Sequence, residues 1–212
     1  MNKKELALIL SRLKSFEKAK VEYEQYQTPS ELAADALWHA YMEGNITGKK
    51  ITDLGCGTGI LGIGALALGA KRVVFVDADE EALKTAMENL LHAEKILKKK
   101  LNAKFENKDI IEYKGRSDVV IENPPFGVKN PHIDKSFLQK AMKIANTIYS
   151  FHKIESKDFI ERFARDNGFR VENITDIRFP LKAIFRFHRK KNYFVKTGLW
   201  KIVKYERHAW KR

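Results

Sequence analysis

The sequence predicts an α/β fold: a mostly parallel seven-stranded sheet with helices on both faces and an antiparallel strand pair at its C-terminal end. Three observations carry that expectation. Apolar strand-like and helix-like segments alternate from residue 51 to residue 168, the pattern of a parallel sheet built from crossover units. A glycine-rich run, Asp53-Leu54-Gly55-Cys56-Gly57-Thr58-Gly59, falls where the first strand gives way to a helix. After residue 169 the alternation stops, and two extended stretches follow with no room between them for a crossover helix.

Taken in order, residues 3–20 have Leu6, Ile9, Leu10, Leu13 and Phe16 at helical spacing. The polar turn Glu24-Gln25-Tyr26-Gln27-Thr28-Pro29-Ser30 precedes a second helical pattern through Leu32, Leu37 and Met42. Strands are expected at 51–54, 72–76, 104–107, 118–121 and from 148, with helices over 59–68, around Leu83 to Leu91 and through Leu138 to Ala145. Ser156 is a suitable N-cap for a last helix that Gly168 closes. Residues 170–180 and 193–205 then form the antiparallel pair. The chain reads as one domain over 1–212, with an N-terminal helical cap (1–45), a core (50–168) and a basic strand pair (169–212).

Composition narrows the class. Of 212 residues, 44% are hydrophobic and 11% aromatic, enough to bury a core and so to exclude a mainly disordered chain. The single cysteine, Cys56, excludes an intramolecular disulfide framework or a cysteine metal cluster and points to a reducing compartment. Leu6 to Leu10 is the longest apolar run near the start, too short for a signal core or a membrane span, so a cytoplasmic protein without a membrane partner is expected.

The net charge of +13 is localised. Residues 1–130 carry 20 Lys and Arg against 19 Asp and Glu, whereas residues 131–212 carry 20 against 8. The last forty residues interleave that charge with Phe, Tyr and Trp, the composition of a surface that meets a polyanion; a merely solvated strand face would look the same.

The glycines of the first turn let the backbone bend sharply and approach a ligand closely. Asp77 follows the second strand, where an acid can accept both hydroxyls of a ribose. The spacing is G-x-G-x-G rather than the G-x-G-x-x-G of dinucleotide folds. Strand, turn, helix and acid in this order resemble the first motif of the Rossmann-like class I methyltransferases that use S-adenosylmethionine. The resemblance implies that Gly55, Gly57, Thr58 and Ile60 line the cofactor site, that Asp77 holds its ribose, and that Asp109 and Ile110 meet its adenine. It also gives Asp53 the role of organising the loop or meeting the cofactor ammonium through water.

Asn123-Pro124-Pro125-Phe126 follows the fourth strand. Two prolines stop the ladder and fix the direction of the Pro124 carbonyl. That carbonyl and the Asn123 side-chain carbonyl can accept both hydrogens of a planar amine, while Phe126 stacks on the ring that bears it. The tetrapeptide resembles that of amino-methyltransferases acting on adenine N6, guanine N2 or protein glutamine.

A longer set of matches is more selective. Glu24-Gln25-Tyr26 with Thr28, the Asp-Leu-Gly-Cys-Gly turn, Asn-Pro-Pro-Phe-Gly with Lys129-Asn130, Tyr149-Ser150-Phe151-His152-Lys153 and Phe187-His188-Arg189-Lys190-Lys191 resemble the methyltransferase-like family of rRNA adenine-N6 methyltransferases, in the form of an archaeal-type member. Pro131 and His132 depart from it, standing where eukaryotic members tend to carry glycine. The resemblance implies Gln25 and Thr28 as further cofactor contacts, RNA as the partner, and a small zinc-containing activator protein as a possible second partner; the third strand, which alternates charged and apolar residues at a sheet edge, is where such a partner is expected to dock. Lys129, Lys153, His188, Arg189, Lys190 and Lys191 are the residues expected near the RNA. No carboxylate accompanies His152 or His188 at ligand spacing, so no metal is expected. Guanine N2 in RNA, adenine N6 in DNA, protein glutamine, or a non-catalytic RNA-binding assembly role remain open alternatives.

Overall fold

The structure, a computed structural model, describes residues 1–126, 132–181 and 193–205. Seven strands, β1 (Lys50–Leu54), β2 (Arg72–Asp77), β3 (Ala103–Asn107), β4 (Val119–Glu122), β5 (Thr147–Lys153), β6 (Phe169–Leu181) and β7 (Tyr193–Lys204), form one sheet in the order β3-β2-β1-β4-β5-β7-β6. The first five are parallel, and β7 runs antiparallel to both β5 and β6. Six helices, α1 (Lys3–Leu10), α2 (Ser30–Met42), α3 (Ile60–Ala67), α4 (Glu80–Leu97), α5 (Ile133–Ile144) and α6 (Lys157–Asp166), are found among the described residues.

The helices divide between the two faces of the sheet. Leu10, Leu37, Ile63 and Leu90 from α1 to α4 pack with Ile51, Phe75 and Ile121 on one face. Leu138, Met142 and Ile160 from α5 and α6 pack with Leu54, Val120 and Trp200 on the other. Every residue of β4 is buried, as a central parallel strand covered on both sides requires.

Local chemistry sets the helix ends. Asn2 and Glu5 form a capping box at α1. Asp79 caps α4 by accepting from the Glu81 amide at 3.1 Å, and Glu80 and Glu81 place negative charge in its first turn. The expected helix over 3–20 stops at Leu10. Beyond it, the Lys14 backbone bonds to the Asn89 side chain in both directions, amide to Oδ1 at 2.7 Å and carbonyl from Nδ2 at 3.0 Å. The helix-like spacing of Leu13 and Phe16 serves a loop laid against α4 instead. Ser156 occupies the N-cap of α6 but makes no side-chain cap bond, because a 3-10 turn over Ile154–Ser156 leads into the helix.

The N-terminal region is tied to the far side of the sheet. Asn45 Nδ2 donates to the Tyr149 hydroxyl oxygen at 2.7 Å, and that hydroxyl donates to Glu43. Lys201 on β7 pairs with Glu43 at 3.3 Å and with Glu172 at 2.6 Å. Glu172 falls at the register shift between Val171 and Asn173, where β6 bulges against β7. No helix among the described residues is long and apolar enough to cross a membrane.

Candidate active site

In the order β3-β2-β1-β4-β5, the chain reverses direction of winding between β1 and β4. Crevices at the carboxyl ends of strands open at such a point. A cavity of roughly 360 Å³ lies there, walled by the segments that follow β1, β2, β3 and β4 and roofed by residues from 16 to 28. All ten residues expected at the cofactor, Gln25, Thr28, Asp53, Gly55, Gly57, Thr58, Ile60, Asp77, Asp109 and Ile110, line it, together with Asn123 and Pro125.

The turn after β1 has the backbone that only glycine adopts easily. Gly55 and Gly57 have φ of 68° and 52°, and a Cβ on either would strike a ring, Phe137 at 2.5 Å or Phe16 at 2.8 Å. The acids behind the turn are held by amide donors. Asp77 accepts from Gly57 N at 2.7 Å and from Asp79 N at 2.9 Å, and Asp53 accepts from Gly62 N at 2.7 Å. Burial pushes Asp53 up to about 7 and also raises Asp77. Asp77 lines the cavity, and a carboxylate has more lone pairs than these two amides use, as a ribose-binding acid needs. Asp109 is exposed, and its Oδ1 accepts from Ile111 N at 2.8 Å, which shapes the loop over the opposite end. Cys56 is buried, and burial pushes its thiol well up, in keeping with a space-filling role.

Asp79 was not evident from the sequence as a site residue. It lines the cavity and accepts from Lys20 Nζ at 2.8 Å and from Gln25 Nε2 at 2.6 Å. Burial alone would raise its carboxyl, but these bonds outweigh that and hold it below the usual range. Its partners lie 59 and 54 residues away in sequence, so no local pattern marked it. Phe16, Tyr26, Ser136 and Phe137 also line the cavity; Tyr26 falls within the Glu24-Gln25-Tyr26 motif, which gave it no role of its own.

On the catalytic side, Asn123 Oδ1 and the Pro124 carbonyl oxygen converge. Both accept from one atom, the Tyr26 hydroxyl, at 3.0 and 3.4 Å. Asn123 Nδ2 donates to Thr28 Oγ1 at 2.9 Å, which turns Oδ1 toward that point. Phe126 stacks on the Tyr26 ring with centroids 5.5 Å apart and planes 16° from parallel. Beneath the tetrapeptide, Glu122 is fully buried and is pushed up to about 8 by desolvation, so it is neutral at pH 7. Ser150 Oγ lies 2.8 Å from Glu122 Oε1 and 2.8 Å from His152 Nε2. His152, on β5, is buried and pushed down to about 4 by desolvation, so it belongs to this internal chain.

Chain comparison settles the family. A family model, the methyltransferase small domain, matches residues 30–148. This chain belongs to the methyltransferase small-domain family. The methyltransferase is 36% identical to the rRNA N(6)-adenosine-methyltransferase METTL5 of Danio rerio over 91% of its own length and 94% of the relative's. The corresponding fly protein, from Drosophila melanogaster, is 32% identical over 91% and 92%. A crystal structure of a candidate RNA methyltransferase from Pyrococcus horikoshii is 42% identical, with a TM-score of 0.87 over 97% and 99% of the two chains.

Of the expected catalytic residues, Pro124 and Phe126 adjoin Asn123 and Pro125 in sequence but are not among the residues that line the cavity. Lys153 ends β5, partly exposed, and does not line it. Lys129, His188, Arg189, Lys190 and Lys191 lie outside the described residues. His132, where the family resemblance places glycine, has φ of 69° at the start of α5, a conformation that glycine adopts freely. No group of three or more metal-ligating side chains is found among the described residues.

Proposed function

We propose that the protein transfers a methyl group from S-adenosylmethionine to the N6 amine of an adenosine in structured RNA, with small-subunit ribosomal RNA as the substrate. The observation that carries this reading is the convergence of Asn123 Oδ1 and the Pro124 carbonyl on one donor position at the cavity wall. The cavity suits the cofactor: Gly55 and Gly57 bring bare backbone to its wall, and Asp77 lines it as a half-buried acceptor.

When bound, the cofactor supplies a sulfonium methyl, electrophilic enough to need only a well-aimed nitrogen. The chain does the aiming. An adenine amine is a poor nucleophile because its lone pair is delocalised into the ring. With one N–H on Asn123 and the other on Pro124, the nitrogen is drawn toward tetrahedral character and its lone pair turns toward the cavity. The proton shed on methylation passes to water, and no side-chain base is required. Phe126 offers the face on which the base rests, and a paired target must first leave its stack.

The relatives of zebrafish and fly are named for this reaction on rRNA, which supports adenosine and RNA as acceptor and substrate. Lys129, Lys153, His188, Arg189, Lys190 and Lys191 are assigned to the RNA-facing surface; such contacts position a strand without reading its sequence. A small zinc-containing activator is assigned to the edge strand β3, which has no strand on its outer side among the described residues. The protein is assigned to the cytoplasm.

Incubation with labelled cofactor and unmodified RNA, followed by digestion to nucleosides, should give N6-methyladenosine. Label in N2-methylguanosine, in DNA or in protein would overturn the reading. RNA binding without turnover would favour an assembly factor. Reversing Arg189, Lys190 and Lys191 to Glu should weaken RNA binding and flatten its salt dependence, by about 0.7 in log–log slope per lost contact.

A further inference from the structure

The Tyr26 side chain has the shape and the bonds of the substrate it stands in for. Its ring lies stacked on Phe126, the face assigned to the target base. Its hydroxyl reaches the same two acceptors as the target amine, Asn123 Oδ1 at 3.0 Å and the Pro124 carbonyl at 3.4 Å. A planar aromatic ring with a polar donor on its rim describes a phenol and an aminopurine alike. Two such rings cannot share one stacking face and one pair of acceptors.

We propose that Tyr26 is an internal stand-in for the target base, which must displace it from Phe126, Asn123 and Pro124, and that this exchange makes Tyr26 a specificity-determining residue. The proposal rests on the reading of the site as one for an aromatic amine. The selectivity follows from counting donors. The phenol has one O–H to share between two acceptors, at unequal distances. An exocyclic amine has two N–H groups and serves both. A base with no amine, or with a carbonyl at that position, removes the phenol and returns nothing to either oxygen, leaving two partly buried acceptors unpaired.

The segment bearing Tyr26 is built to hold the phenol without fixing it covalently or in a strand. Its neighbours are pinned from both sides, Gln25 by Asp79 at 2.6 Å and Thr28 by Asn123 at 2.9 Å. Residues 24–29 themselves lie outside helices and strands. The exchange therefore requires rotation of one side chain or movement of one short stretch, with the sheet unchanged.

The test uses the full chain and short RNA oligonucleotides that carry either adenosine or purine riboside, which lacks the amine, at one position. Equilibrium binding is measured with S-adenosylhomocysteine present, for the wild type and for Tyr26→Phe and Tyr26→Ala. Removing the hydroxyl should tighten the adenosine oligonucleotide three- to tenfold and the purine riboside oligonucleotide less, widening the ratio between them. Tyr26→Ala, which also clears the ring, should tighten both. In turnover, Tyr26→Phe should lower KM for RNA more than it changes kcat. Weaker or unchanged binding of adenosine by Tyr26→Phe, in protein that melts like the wild type, would overturn the proposal and make Tyr26 a fixed wall of the site. Failure of the adenosine reading would show separately, in the wild type, as label in another nucleoside.

Discussion

The two walls of the cavity are made in different ways. On the β1–β2 wall, backbone does the work: positive-φ glycines set the turn, and Asp53 and Asp77 are held by main-chain amides of residues nine and at most twenty positions away. On the β4 wall, the contacts are between side chains far apart in sequence, Tyr26 and Thr28 with Asn123, 97 and 95 residues away. The first wall is a fixed mould for a ligand common to many enzymes. The second is an adjustable arrangement in which partners can be exchanged for substrate.

That contrast can be broken by mutation. Asn123→Ala, on the adjustable wall, should cut turnover by about two to three orders of magnitude, comparable to losing one preorganised transition-state contact. Cofactor affinity from calorimetry should stay within about twofold, and a parallel loss of cofactor binding would merge the two walls. Asp77→Ala, on the fixed wall, should weaken cofactor binding by about ten- to a hundredfold through the loss of a charged acceptor. Turnover at saturating cofactor should then largely recover.

Glu122 sharpens the comparison, because it is a carboxyl with one oxygen that has no partner among the described residues. Its folded value of about 8 lies above the ordinary 4.5, so the folded protein binds more protons than the unfolded chain between those limits. Stability from this group is complete below about pH 4.5 and is lost as pH rises to 8. Glu122→Gln should remove that loss. Urea denaturation should show the variant gaining on the wild type by up to about 1.4 kcal/mol per pH unit within the window, and a pH-independent difference would show that Glu122 is ionised in the fold. The smallest effect is expected for Thr28→Val, which removes one neutral hydrogen bond to Asn123. Turnover should fall about fivefold, read from single-turnover rates at saturating cofactor.

The same contrast explains what was legible in the sequence. The glycine turn, Asp77 and the tetrapeptide each announce themselves within a few residues, since their roles rest on local backbone geometry. The alternation that predicted the parallel half of the sheet is likewise local, and the absence of a helix after Gly168 predicted the strand pair. Asp79 and Tyr26 escaped because their importance lies in partners brought close only by folding. Helical spacing continued past Leu10 for a different reason: Leu13 and Phe16 repeat at the right interval, but Asn89 claims the Lys14 backbone. His152 sat among basic and aromatic neighbours in sequence, yet strand alternation turns it inward beside Ser150 and Trp200, with rings 6.3 Å apart in the latter case.

The position of β7 has a consequence for biosynthesis. It is the last strand among the described residues but lies between β5 and β6, so the sheet cannot be completed in sequence order. While a ribosome is still making residues before Tyr193, β5 and β6 have no neighbour to join them, and the long edge of each is open to other chains. The parallel strands can assemble early around the cavity. Completion waits for β7 to enter between β5 and β6, and until then those edges stand exposed to pairing with other chains.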